Sequence, residues 1–350
     1  MVKPNNSELN LNSKILNRMA WMMAPGKLEL IESPIPELAS DEVLVKIEAS
    51  AICGSDLHLF NGKHPSVKLP TAVGHECAGL VVALGDAVKD CQLGDKVTIE
   101  PNINCGVCDA CLHGDYGYCE NISFTYRIGK GALADYIVAR QDKVFKLSDS
   151  MPFAEGALIE PMAVAVHAVR RADIQMGEDV LVIGAGAIGI FVAALCKLRG
   201  AGNVVISDRS EERLETALRL GATAKLASKD LVEHLNQAKS MRFDKVFECV
   251  GVEQTLSQAM RAAKRNGLIT VVGIFEQGEA SIPATLFASH EIRMQGSQGY
   301  CWDFPIAIQM AEQLDLGAMI THKFPLSEVQ KAFDLAADRD IYKMKVILEP

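Results

Sequence analysis

Basic residues are in the minority in this sequence: 35 Lys and Arg stand against 44 Asp and Glu, for a formal net charge of −9. No basic tract interrupts that balance, which argues against non-specific binding to nucleic acid or to acidic membranes. Long apolar runs are scarce too. The longest uncharged stretch, residues 180–196, is seventeen positions, marginal for a membrane span, and its three regularly spaced glycines point to another use. The first eighteen residues are polar and Asn-rich and lack the apolar centre of a secretory signal, so a cytoplasmic protein is expected. That compartment disfavours disulfides, and the ten cysteines then read as metal ligands and buried thiols. Internal repeats and low-complexity segments are also missing.

What is present is apolar material for two cores. At 350 residues and 49% hydrophobic, the chain exceeds one ordinary core, and two domains are expected. Residues 1–18 read as a flexible extension. Residues 19–147 are strand-like, with short segments such as EVLVKIEAS, AGLVVAL and DKVTIE broken by Gly, Pro and Asp. Further on, DVLVIGAG, NVVISD, KVFECVG, LITVVGIF and IRMQGS are apolar strands, and most intervals between them can hold a helix. One is SEERLETALRLGA, with Ser210 as N-cap and Gly221 as stop. Strand alternating with helix means a doubly wound parallel sheet, an α/β fold. The tail carries a helix (LSEVQKAFDLAAD) and a closing strand (MKVILE), whose destination periodicity leaves open.

VLVIGAGAIG places Gly184, Gly186 and Gly189 as G-x-G-x-x-G after a strand and at a helix start. The first glycine makes the turn, the second admits a pyrophosphate, and the third lets the helix pack closely. Asp208 ends the next strand nineteen residues later, placed to hold ribose hydroxyls. A carboxylate there repels a 2′-phosphate, so NAD is preferred over NADP, with Arg209 next door as the opposing influence.

Cys105, Cys108, Cys111 and Cys119 form C-x2-C-x2-C-x7-C, four thiolates within reach of one tetrahedral zinc. Four protein ligands leave no position for substrate, so this site is structural. A reactive metal needs donors elsewhere. Candidates are Cys53, Ser55, Asp56 and His58 in AICGSDLH, His75 and Glu76 in GHECAG, and Glu160 in LIEPMAVAVHA. Singly, each has a plain structural reading: a small buried thiol, a turn histidine, a helix-start carboxylate.

Taken together, C-G-S-D-x-H, G-H-E, the four-cysteine lobe, EGALIEP with HAVRR, and the glycine fingerprint resemble the zinc-dependent medium-chain alcohol dehydrogenases. The sorbitol-type polyol branch is the nearest in pattern, over residues 19–350. The resemblance implies a Rossmann domain (166–298) joined to a GroES-like β-barrel catalytic domain (19–165 and 299–350), with a structural zinc lobe at 101–120. It also implies two zinc ions per chain and NAD. Cys53 and His75 would bind the catalytic zinc, with Glu160 or Glu76 as third ligand and the other glutamate close by. Asp56 would accept the second N–H of His75, and Ser55 would pass the substrate proton through the cofactor ribose to His58. Matched cofactor positions are Ile188, Arg213, Val272, Gly273, Ile274, Ser297, Gln298 and Gly299; the apolar ones read equally well as sheet core. Relatives are commonly dimers or tetramers, so a homotetramer or homodimer is expected.

The chemistry stands apart from the resemblance. An alkoxide is a good hydride donor and a neutral alcohol is not. Zinc lowers the pKa of bound water from about 15.7 to about 7, at most about 12 kcal/mol if carried to an alcohol. Two departures from the sorbitol-type pattern matter: Leu59 stands where that branch has tyrosine, and Gly299 precedes Tyr300 where it has arginine. Both missing groups help hold polyol hydroxyls there, so a roomier pocket is implied, with Tyr300 and Trp302 as lining candidates. The expected substrate is a polyol, cyclitol or keto-sugar. Butanediol- or threonine-type dehydrogenases are the alternatives within the family, and a non-catalytic dinucleotide-binding protein the alternative outside it.

Overall fold

The computed structural model describes residues 16–63, 67–237 and 242–350. The extension read over 1–18 therefore lies mostly outside the described residues, and its last three positions belong instead to the strand Leu16–Ala24. That strand alternates buried and open positions, and its partners are Lys27–Pro34 and Thr71–Ala72.

The strand Glu42–Ala51 is the axis of the β-rich unit, buried along most of its length. It pairs antiparallel with Glu76–Leu84, Tyr136–Arg140 and Lys345–Glu349. Ile347 lies opposite Ala51, so the C-terminal strand returns to the first domain and brings Lys345 with it.

The second unit is a six-stranded parallel sheet in the order Ala224–Ala227, Val204–Asp208, Val180–Ile183, Phe243–Glu248, Ala263–Val271, Arg293–Gly296. The order reverses beside Val180–Ile183, the point at which sheets of this kind open a crevice at the carboxyl ends of their strands. The helix Glu211–Arg219 starts as its sequence dictates: the Ser210 hydroxyl accepts the Arg213 N–H at 3.4 Å. Gly221, at φ +117°, ends it in a conformation that side chains disfavour.

The helix Ile159–Ala172 joins the two units. It packs against the helices Ala187–Leu198 and Phe304–Ala311, and one apolar cluster runs from Ala49 and Ala78 of the barrel to Val180 of the parallel sheet and Phe191 of the first of these helices. The domain division placed between 165 and 166 falls inside this continuous helix. Apolar burial on both sides keeps it whole, so it acts as a shared strut with Glu160 at one end and His167, Arg170 and Arg171 at the other. Among the described residues, no helix is long and apolar enough to cross a membrane.

Candidate active site

The short helix Gly54–Phe60 begins at Cys53. Asp56 accepts the Cys53 N–H at 3.0 Å, closing the first turn, and its other oxygen accepts the Gly74 N–H at 3.3 Å. Gly74 sits at φ +88°, and a Cβ there would meet Leu133 at 2.6 Å, so the turn before His75 needs glycine. Asp56 thus stitches two distant strings together. It stands 3.8 Å from His75 Nδ1, beyond a hydrogen bond, and that nitrogen has no partner. The expected Asp56–His75 hydrogen bond is accordingly corrected: two backbone N–H groups, one on each oxygen, hold the carboxylate at 3.8 Å from the ring nitrogen.

Donor atoms of Cys53, His75 and Glu76 lie within 4.8 Å of one another. Glu76 is wholly buried; Lys345 Nζ donates to its Oε2 and to the Ile52 carbonyl at 3.2 Å, while Oε1 has no partner. Glu160, also buried, is outside this trio and accepts the Tyr300 hydroxyl at 3.0 Å. Burial pushes the Glu160 carboxyl up to about 7. Burial pushes His75 down, but Cys53, Asp56 and Glu160 outweigh it, and the imidazole is raised well above its ordinary value. Two carboxyl groups and a thiol facing one imidazole and one ammonium form an acid-rich set with unpartnered atoms. A divalent cation would complete it, and the sulfur, nitrogen and oxygen donors suit zinc. The Tyr126 ring packs on His75 at 5.6 Å between centroids, forming one wall.

The lobe cysteines fit zinc as well. All four sulfurs lie within 4.8 Å of one another, with Cys105 and Cys111 at 4.0 Å. Tetrahedral bonds of about 2.3 Å require sulfurs about 3.8 Å apart. Backbone N–H groups of Val107 and Cys108 pull the Cys105 thiol down to about 6, favouring thiolate.

The fingerprint glycines divide their tasks. A Cβ on Gly184 would strike Val250 at 2.7 Å, one on Gly189 would strike the Gly184 carbonyl at 1.9 Å, and one on Gly186 would meet nothing within 4 Å. The first and third are packed and the second faces open space, as a pyrophosphate requires. Asp208 accepts N–H groups of Ala185 at 2.7 Å and Ser210 at 2.9 Å, and so braces the glycine turn. Val272, Gly273, Ile274, Ser297 and Gln298 line one cavity of about 400 Å³ with Tyr118, His167 and Arg171. Ile188 is half-buried at the start of its helix and packs against the shared core, and Gly299 turns at φ +58°. Arg213 reaches the Lys343 carbonyl at 3.4 Å.

Ser55 and His58 share one face of the short helix, and His58 Nδ1 stands 3.2 Å from Glu276 of the second unit. Leu59 is buried with Phe60, Val73 and Leu133 in the barrel cluster and is not among the cavity residues. Tyr300 is likewise buried, its hydroxyl committed to Glu160.

Lys345, Tyr126 and Glu276 escaped the sequence reading. Lys345 heads an ordinary apolar strand, and only a charge next to that strand's buried positions hinted at a partner.

Residues 39–149 match the alcohol dehydrogenase GroES-like domain, and residues 187–313 match the zinc-binding dehydrogenase model. An uncharacterized zinc-type alcohol dehydrogenase-like protein of Escherichia coli is 36% identical over 93% of this chain and 97% of its own. A sorbitol dehydrogenase of Bacillus subtilis is 34% identical over 95% of this chain and 97% of its own. Among solved structures, a zinc-binding dehydrogenase of Sinorhizobium meliloti bound to NADP superposes with a TM-score of 0.88 at 31% identity, covering 96% of this chain and 100% of that one.

Proposed function

Since the chain belongs to the zinc-dependent medium-chain polyol dehydrogenases, we propose that it oxidises a secondary hydroxyl of a polyol, cyclitol or sugar derivative and delivers the hydride to NAD. The observation that carries this reading is the meeting of Cys53, His75 and Glu76, with Glu160 close enough to feel the charges of His75 and Glu76. Cys53, His75 and Glu76 would hold the catalytic zinc, and Cys105, Cys108, Cys111 and Cys119 the structural one. Zinc, when bound, supplies Lewis acidity that favours the ionised form of a coordinated hydroxyl.

The chain's own residues do the rest. Ser55 would take the hydroxyl proton and His58, on the same face of the helix, would pass it on, the cofactor ribose supplying the link between them. Glu160, held by Tyr300 and outside the trio, would lie close to the metal or its water. Val272, Gly273 and Ile274 line the cavity and would hold the nicotinamide, which supplies the hydride acceptor. Asp208 at the ribose end supports NAD over NADP. Gly299, where the sorbitol-type pattern has arginine, has open space where a side chain would stand, which supports cyclic or keto substrates.

The test is NADH production screened across inositols, alditols, sugar acids and small diols, with metal analysis of the same protein. Turnover of at least one polyol or cyclitol and close to two zinc per chain are expected. No turnover across the panel, or a zinc content near one, refutes the proposal.

A further inference from the structure

We propose that the four-cysteine lobe positions the catalytic carboxyl group: Tyr116 of the lobe holds the strained backbone of Trp302, and that backbone presents Tyr300 to Glu160. This rests on the function proposed above and adds a positioning residue to it.

Among the described residues, four non-glycine residues have positive φ, and Trp302, at +62°, is the only aromatic one. A bulky side chain in the left-handed region persists only where its surroundings hold it there. Yet Trp302 is 60% exposed, so core packing does not supply the restraint. Polar contacts to the lobe do. The Trp302 N–H donates to the Tyr116 hydroxyl at 2.9 Å, and the indole N–H donates to the Gly114 carbonyl at 2.7 Å. The two rings meet edge to face at 5.1 Å.

Tyr116 is itself fixed. Its hydroxyl donates to Glu100 at 2.9 Å, and Glu100 is bonded to Lys143 at 2.7 Å, all three being buried. The phenol oxygen therefore has one orientation, proton toward Glu100 and lone pair toward Trp302. Close approach adds to this: a Cβ on Gly117 would lie 2.9 Å from the Tyr300 carbonyl. Gly114, Tyr116 and Gly117 all lie between Cys111 and Cys119, so the loop closed by the cysteines is the surface against which residues 300–302 are shaped. At the far end the Tyr300 hydroxyl reaches Glu160 at 3.0 Å.

The experiment uses full-length protein. Trp21 and Trp302 are its only tryptophans, so a Trp21→Phe background makes fluorescence anisotropy a report on Trp302 alone. In that background Tyr116→Phe, which keeps the ring and removes the hydroxyl, should lower kcat roughly five- to tenfold. NADH affinity and zinc content should stay unchanged, and Trp302 anisotropy should fall. Trp302→Gly, free to adopt positive φ, should keep severalfold more activity than Trp302→Ala, which carries the strain without the indole anchor. Equal activity of those two variants, or wild-type kcat and anisotropy in Tyr116→Phe, overturns the proposal. Absence of any polyol turnover in the wild type would instead defeat the function proposed above, and the anisotropy change would still decide whether Tyr116 holds the loop.

Discussion

Replacing Lys345 by methionine removes the ammonium group paired with Glu76 and keeps nearly the same volume. Glu76 is wholly buried and Lys345 is 4% exposed, so water can replace little of what is lost. Burial pushes the Lys345 ammonium down, but Glu76, Cys53 and Glu160 more than offset this and hold it above its ordinary value. Removing one partner of such a pair costs about 3–5 kcal/mol, because the other charge stays behind uncompensated. That cost should appear in full in zinc-free protein. With zinc bound among Cys53, His75 and Glu76, the ion takes over the compensation, and the remaining penalty should be about 1–2 kcal/mol, the worth of the lost hydrogen bonds. The assay is urea denaturation of wild type and Lys345→Met, each compared in the same metal state, with Glu76→Gln/Lys345→Met as the coupling control. The double variant should recover most of the zinc-free loss. A zinc-free penalty below about 1 kcal/mol, or equal penalties with and without zinc, would refute the reasoning.

Other outcomes follow from the same geometry. Cys53→Ser should abolish turnover while NADH still binds, which fluorescence titration checks; normal turnover would remove Cys53 from the reaction. Asp208→Ala should narrow the ratio of kcat/KM for NAD over NADP by about tenfold, about 1.4 kcal/mol, and an unchanged ratio would assign the choice to Arg209 or another group. Asp303 is fully buried and accepts His167 Nδ1 at 2.9 Å, the Cys301 N–H at 2.9 Å and Arg170 at 2.5 Å. Burial pushes its carboxyl up, but these hydrogen bonds prevail and hold it below its ordinary value. A depressed carboxyl stabilises the fold above the unfolded pKa, about 3.9, and loses that contribution as pH falls through the folded value. Melting temperatures of wild type and Asp303→Asn should therefore converge below about pH 4 and stand apart at pH 7. A constant gap would exclude Asp303 as the acid-sensitive group.

Spacing along the chain made some of this protein legible without coordinates. The four lobe cysteines sit within fifteen positions, the fingerprint glycines within six, and Ser55 and His58 within one helical turn, so chain geometry alone holds each set together. The same holds for Ser210 and Gly221, whose capping tasks depend only on neighbours. The domain division was less legible. Local texture changes near residue 150, but the strut Ile159–Ala172 is held by burial on two sides at once, which no window of sequence reports.

What the sequence determined by itself is the local chemistry: a dinucleotide fingerprint, a closed thiolate loop, and the residue types a reactive zinc needs. Tertiary structure alone decided how these meet. Lys345 lies 269 residues from the carboxylate it neutralises, and Tyr300 lies 140 from the one it holds. Tyr116 and Trp302 are 186 apart. At such separations a side chain's partner is set by which strands pair and which core closes. The acid-rich centre therefore gains its neutralising ammonium only once the C-terminal strand has returned to the barrel.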